Sequence, residues 1–357
     1  MVCLLLSHLE LHTPGASSSD ISALYADAIG AMISTSKADT SSTTQINIGV
    51  SQLNLRSLHL ESHALAGHVE LWTREPLDAV ASRVSAIAGE DETTLVTDGP
   101  DPRLVFNCPF GNRLMVRRAP PGFTLIGEPA PGGSGECVAL SRIVLGVRQG
   151  AAEGIYSFFV TMLGSRCELK RTVSPSGMVA VCFAVAYIGS GQQIIFEERD
   201  DERCAPLIEP GARGGEPRPA RCALGVYLQS REAYRTAFMA CAAAGRLVAA
   251  TARGGWAEAE RTSRFFASID DTGIELELRS IEHPLCPRGV GRGGIRGCFG
   301  APAVQRVRGV AAAADEHEVP LSASAANRRR LSKLPPKSPG SINKSRRQPS
   351  PARSPGR

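Results

Sequence analysis

Four segments of the chain carry apolar residues at three-and-four spacing, the pattern of an amphipathic helix. They are DISALYADAIGAMI from Asp20, PLDAVASRVSAIA from Pro76, CVALSRIVLGVRQ from Cys137 and SREAYRTAFMACAAA from Ser230. In the first, Ile21, Leu24, Ala28 and Met32 share a face; in the fourth, Ala233, Phe238 and Cys241 are among the apolar positions. Asp20 and Ser230 suit N-caps, and Pro76 suits the first helical position. After each segment the period changes to two, which predicts strands. TQINIGVSQLNLRSLHLES follows the first, and TTLVT, RLVFNC, NRLMVRR and FTLIGE follow the second. IYSFFVTML, CELKRTV, MVAVCFAVAYI and QQIIFEE follow the third; RLVAATA, RFFASID and IELELRSIE follow the fourth. Gly, Asp and Pro punctuate these runs as they do antiparallel hairpins.

One helix and then three or four strands, four times over, predicts an α+β protein of two similar domains. The Pro/Gly-rich stretch 128–135 separates residues 1–127 from 136–283, each holding two helix-plus-antiparallel-strands units. Residues 284–357 are a Gly/Arg-rich segment and a Ser/Pro/Lys/Arg tail with little to bury, expected to be disordered.

Charge sharpens the division. The chain carries +5 overall, yet from Asn327 to the end there are ten Lys/Arg and no Asp/Glu. Residues 1–326 therefore hold 30 basic and 35 acidic residues, and any contact of the body with nucleic acid must come from a local basic patch. No apolar run approaches the roughly 20 residues of a membrane helix. The opening MVCLLL is too short and lacks the basic start of a signal peptide, and reads as a strand. Ten cysteines without a CxxC pair point to buried thiols rather than a disulfide framework.

The order of elements, the mid-body linker and the basic C-terminus resemble the sliding-clamp fold, as in proliferating cell nuclear antigen, checkpoint clamps and herpesvirus polymerase processivity subunits. EDETTLVTDGPDPRLVFNC and CALGVYLQSREAYRTAFMACAAAGRLV carry the resemblance, and the herpesviral type is nearest. It implies a non-enzymatic processivity factor that holds a DNA polymerase catalytic subunit on duplex DNA, with a second copy of the chain as a further partner and no cofactor. On the proposed helices or their ends, Lys37, Arg83, Arg142, Arg148, Arg231, Arg235 and Arg246 are the candidate phosphate contacts, which are sequence-independent and salt-sensitive. The plainer reading of each is a solvated helix charge. A nuclear or viral interaction protein whose tail alone binds nucleic acid is the second reading, and an enzyme whose site leaves no motif is the third.

Other motifs change little. Gly289-Val-Gly-Arg-Gly-Gly294 has the spacing of a dinucleotide loop but lacks a strand before and a helix after it. Arg288, Arg292 and Arg296 read instead as a flexible phosphate-contacting segment or plain linker. His59, His63 and His68 lie close together, and Cys204, Cys222, Cys286 and Cys298 could join them, but no spacing matches a zinc motif. Structural thiols and surface histidines are the better reading. No catalytic motif stands out. In the tail, Arg328, Arg329, Arg330 and Lys333, then Lys344, Arg346 and Arg347, form the two clusters of a nuclear import signal, which predicts a nuclear protein. Ser350-Pro and Ser354-Pro, each followed by a basic residue, fit a proline-directed kinase.

Overall fold

The computed structural model describes residues 3–13, 16–34, 43–56, 65–123, 135–173, 179–189, 191–200, 222–269, 274–283 and 286. The chain divides into two units, Met1–Val319 and Pro320–Arg357, and every described residue lies in the first. The Gly/Arg-rich segment, the tail and its import clusters, Lys37, His59, His63, Cys204 and Cys298 all lie outside the described residues.

The elements come in four units. The first is β1 (Cys3–His12), α1 (Ser18–Ile21, continuing in wide π-type turns over Ser22–Ala28), β2 (Met32–Ile33), β3 (Thr43–Ile48) and β4 (Ser51–Arg56). The second is β5 (Gly67–Thr73), α2 (Leu77–Ala88), β6 (Thr93–Val96), β7 (Arg103–Asn107) and β8 (Arg113–Arg118). The third is β9 (Cys137–Val147), α3 (Ala152–Ser157, with π-type turns over Phe158–Met162), β10 (Cys167–Val173), β11 (Val179–Ile188) and β12 (Gln192–Glu198). The fourth is β13 (Cys222–Leu228), α4 (Arg231–Ala243), α5 (Ala249–Thr262), β14 (Arg264–Ile269) and β15 (Ile274–Ser280), where a second helix replaces one strand.

Within every unit the first strand lies parallel to the last: β1 with β4, β5 with β8, β9 with β12, and β13 with β15. Antiparallel pairing of β1 with β13 joins the first unit to the fourth; pairing of β5 with β9 joins the second to the third. Sheet one therefore runs β14-β15-β13-β1-β4-β3-β2, and sheet two β10-β11-β12-β9-β5-β8-β7-β6.

This corrects the expected architecture of clamp-like, helix-plus-antiparallel-strands units. Each unit begins with a strand, the helix is a crossover returning the chain parallel to it, and both sheets are mixed. The segment from Cys137, expected as a helix, is β9, and the third helix lies beyond it at Ala152–Met162.

Period-two alternation gives each sheet two faces. On β15, Ile274, Leu276 and Leu278 enter the core while Glu275, Glu277 and Arg279 take the opposite face. The helices cover the core side: α2 packs on β6 to β8, α3 on β10 to β12, α4 on β13 and β15. Turns continuing α1 also pack on α2, and α4 on the turns continuing α3, so both sheets share one core. The Ser17 hydroxyl caps α1 at Asp20 N–H, whose carboxylate returns to the Ser17 backbone, a capping box. Ser230 caps α4 through the Ala233 N–H, and Phe238 and Cys241 are buried as its spacing predicts.

The sheets meet at Gln192. Its amide nitrogen donates to the Leu140 carbonyl at 2.8 Å and to Ser51 Oγ at 3.1 Å, and its oxygen accepts from the Leu6 N–H at 2.9 Å.

Candidate functional site on the open face of sheet two

The face of each sheet opposite the helices carries a polar cluster, and both clusters sit on the rung that crosses the four central strands. In sheet one that rung reads Gln52, His8, Gly225, Glu277. In sheet two it reads Met115, Glu70, Arg142, Gln193, and continues to Tyr187 on β11. A register shift lies beside each rung, between Leu6 and His8 on β1 and between Glu70 and Leu71 on β5 against β9. Each leaves a buried serine next to the cluster, Ser7 and Ser141. Such bulges re-aim side chains at the centre of a sheet.

The cluster of sheet one is closed. Glu277 Oε1 accepts from Arg279 Nε at 2.7 Å, and its Oε2 lies 3.6 Å from His8 Nε2. Arg279 also donates to Ser7 Oγ at 2.8 Å. Burial pushes the Glu277 carboxyl up, but the Arg279 bond and charge outweigh it and hold the group below its ordinary range. The side chains of His8, Glu277 and Arg279 are 4%, 7% and 8% exposed. These groups satisfy one another and stitch β1 to β15 across β13.

The cluster of sheet two is open at one side. Its centre is the buried Glu70 carboxylate, on the open face because His68, Glu70 and Trp72 alternate with core Val69 and Leu71. Glu70 Oε2 accepts from Arg142 Nη1 at 3.2 Å, and Ser141 Oγ donates to Glu70 Oε1 at 3.1 Å. Arg117 Nε lies 3.3 Å from the same Oε2, an ion contact rather than an aligned hydrogen bond. Arg117 is also paired with Asp101, and Arg142 Nε donates to Gln193 Oε1 at 3.1 Å.

Next along β5 is the half-buried imidazole of His68. Its rung holds Val144, Ile195 and Val185, and the Leu114–Val69 register brings Arg113 beside it. Burial, then the charges of Arg113, Arg199, Arg142 and Arg117, push His68 down to about 4, so the ring is neutral at neutral pH. Among the described residues, the side chains of His68 and Arg113 have no hydrogen-bond or ion-pair partner, whereas Arg199 is paired with Glu197. Val144, Val185 and Ile195 pack with the partly exposed Phe183 and Tyr187 into an apolar strip bordering the arginines. The Tyr187 hydroxyl donates to Glu168 Oε2 at 2.8 Å, and burial with that bond pushes it up to about 12.

The arginines singled out from the sequence are not gathered on one helical face. Arg142 is on strand β9, inside this site, and Arg148 is in the turn after β9. Arg83 on α2 donates to the Ala28 carbonyl at 3.1 Å and pairs with Glu75 at 2.7 Å. Arg231 pairs with Glu260 at 2.6 Å, Arg235 lies 6.0 Å from the Trp256 ring, and Arg246 follows α4. Glu70, Arg113, Arg117 and Gln193 were not anticipated. The signal was there in HVELWT, where alternate polar residues interrupt an apolar strand, but it acquires meaning only when β8, β9 and β12 are known to flank β5. Among the described residues no three His, Cys, Asp or Glu side chains cluster as ligands of one metal ion.

No family model matches the chain, and no curated protein does. Solved structures similar to it include a glyoxalase I mutant from Zea mays (12% identity, 77% of this chain and 93% of that one, TM-score 0.47). A putative dioxygenase from Bacillus subtilis subsp. subtilis str. 168 has 10% identity, 79% and 87% coverage, and TM-score 0.47. The cppA protein from Streptococcus pneumoniae TIGR4 has 11% identity, 78% and 100% coverage, and TM-score 0.40. At this identity and TM-score none of these names carries over to the chain.

Sliding clamps are not among these structures, and the sheet topology departs from the arrangement on which the clamp resemblance stood. The resemblance is withdrawn, and with it the processivity role and the association with DNA replication and viruses. The expectation that the chain is not an enzyme falls too, since it rested on the clamp resemblance and on missing motifs. The second reading, an interaction protein with a nucleic-acid-binding tail, finds no specific support.

Proposed function

We propose that the chain binds a small organic anion on the open face of sheet two. The observation that carries this is a neutral His68 and an unpaired Arg113 at the edge of a buried Arg142–Glu70–Arg117 cluster. Around His68, the guanidiniums of Arg113, Arg117, Arg142 and Arg199 face the carboxylates of Glu70, Asp101 and Glu197. Among the described residues one of these positive charges is left uncompensated, that of Arg113.

The chemistry follows from that balance. A carboxylate or phosphate takes charge-assisted hydrogen bonds from Arg113 and one from the His68 N–H, in a setting where Glu70 already fixes the Arg117 and Arg142 forks. Phe183 and Tyr187 add partly exposed apolar surface beside the site for a body attached to the anionic group, one face of the Tyr187 ring being covered by Arg166 at 4.2 Å. Sheet one offers no equivalent, because its central ions are sealed and mutually paired.

Calorimetric titration with benzoate, phthalate and neutral benzamide tests the proposal. The two anions bind and benzamide does not. Arg113→Ala, which removes an exposed side chain outside the core, weakens both anions about tenfold, the size of one charged hydrogen bond. Equal binding of benzamide, or anion affinity unchanged in Arg113→Ala, refutes it.

A further inference from the structure

We propose that a second copy of this chain pairs with it along β10, edge to edge and antiparallel, so that two copies of sheet two become one continuous sheet. The proposal stands apart from the anion-binding reading.

The two sheets have four edges, and three of them offer little to a further strand. β2 has two residues and β6 has four. The outer side of β14 is already taken: the Phe266 carbonyl accepts from the Val248 N–H at 3.1 Å, the Ser268 N–H donates to the Arg246 carbonyl at 2.9 Å, and the Phe266 N–H donates to Thr251 Oγ1 at 3.1 Å. β10 differs. It runs for seven residues, Cys167–Val173, and pairs on one side only, with β11. The bond from the Tyr187 N–H to the Arg166 carbonyl sets its phase: Glu168 and Lys170 turn their backbone groups to β11, while Cys167, Leu169 and Arg171 turn theirs outward. Among the described residues none of those three has a backbone hydrogen-bond partner on that side. Such an unpaired row is a template for strand addition.

Helix α3 borders this edge on the core side. Glu153 pairs with Arg171 of β10 at 3.0 Å, which turns that flank of the helix toward the edge. The same flank continues, at helical spacing, as Tyr156 and Val160. They are 37% and 38% exposed, unusual for large apolar side chains of this chain. Leu169 is half-buried on the same side of the strand. A strand laid on β10 would seat an apolar side chain beside Leu169, under Tyr156 and Val160.

The sequence of β10 is complementary to itself. Antiparallel pairing centred on Leu169 sets that residue against the second copy's Leu169 on the core side. It sets Glu168 against the second copy's Lys170 on the open face, once on each side of the two-fold axis. These are the closely spaced, non-hydrogen-bonded positions, where opposite charges across strands attract. Both side chains have room to turn to the new partner, being 36% and 40% exposed. A two-fold dimer needs a patch that fits itself in this way.

Sedimentation velocity of the full chain over a concentration series tests the proposal, and a monomer–dimer equilibrium is expected. Lys170→Glu gathers four glutamates at the seam and Glu168→Lys gathers four lysines; each weakens the dimer about tenfold or more. An equimolar mixture of the two variants restores it, because every seam pair then joins a glutamate to a lysine. Val160→Asn, which leaves both charges in place, also weakens the dimer while the melting temperature holds. A chain that is monomeric at every concentration, a dimer indifferent to either charge reversal or to Val160→Asn, or a mixture that stays monomeric overturns the proposal.

Discussion

The imidazole of His8 lies over Gly225: a Cβ at that glycine would meet His8 Nδ1 at 2.2 Å and Cε1 at 2.3 Å. The missing side chain lets His8 on β1 reach across β13 to Glu277 on β15, 3.6 Å away. Gly225→Ala must push the ring aside and open a buried ion cluster. The expected cost is about 3–5 kcal/mol, the scale for breaking a buried pair, read from urea unfolding. Unchanged stability would show that the His8–Glu277 contact does not hold the first unit to the fourth.

Glu70 is the counterion of two guanidiniums whose side chains are 11% and 12% exposed. Glu70→Gln keeps the shape but leaves both charges facing each other. We expect a loss of about 3–5 kcal/mol. Adding Arg142→Met recovers part of it, because the second variant removes one stranded charge. A stable Glu70→Gln protein would show that solvent, not Glu70, balances the arginines.

Acid should weaken the fold before most carboxylates titrate. Burial holds folded His68 and His283 down at about 4, against an ordinary value of 6.5. Between those values the unfolded chain takes up protons that the folded chain refuses, so stability falls as pH drops from 6.5 to 4. Below about 4 these two groups add no further slope. Urea midpoints across this window should flatten in His68→Gln and His283→Gln; parallel curves would contradict the burial of both rings.

The Gln192 amide serves three groups on β1, β4 and β9. Gln192→Ala strands the Leu6 N–H and the Leu140 carbonyl at the junction of the sheets. Each unmet group costs about 1–3 kcal/mol, and hydrogen exchange at Leu6 should accelerate. Unaltered exchange there would mean that water replaces the amide.

How far the sequence could be read depended on how many faces of an element are buried. On α4 one face is buried and one solvated, so Ser230, Phe238 and Cys241 were placed correctly from spacing alone. β15 was equally plain, with Leu276 and Leu278 alternating against Glu275 and Arg279. β9 is buried on both faces: Ile143 and Leu145 enter the core, and Val144 packs on the open face. Such a strand is an unbroken apolar run, and the three-and-four spacing found in it was coincidental. The reverse error moved the third helix, because the aromatic and β-branched residues of IYSFFVTML suit a strand. Parallel pairing of first and last strands joins residues 44 to 52 positions apart in sequence and leaves no local trace. Since the candidate site is a rung across those pairings, Arg142 was noticed only as a basic residue on a supposed helix, and Glu70 went unnoticed.

Anion binding on the open face of sheet two can be read residue by residue in an amide chemical-shift titration of the full chain with phthalate. Saturable shifts are expected at His68, Glu70, Arg113, Arg142 and Gln193, with β13 and β15 of sheet one unmoved. Shifts confined to sheet one, or none at concentrations that saturate a millimolar site, would contradict it.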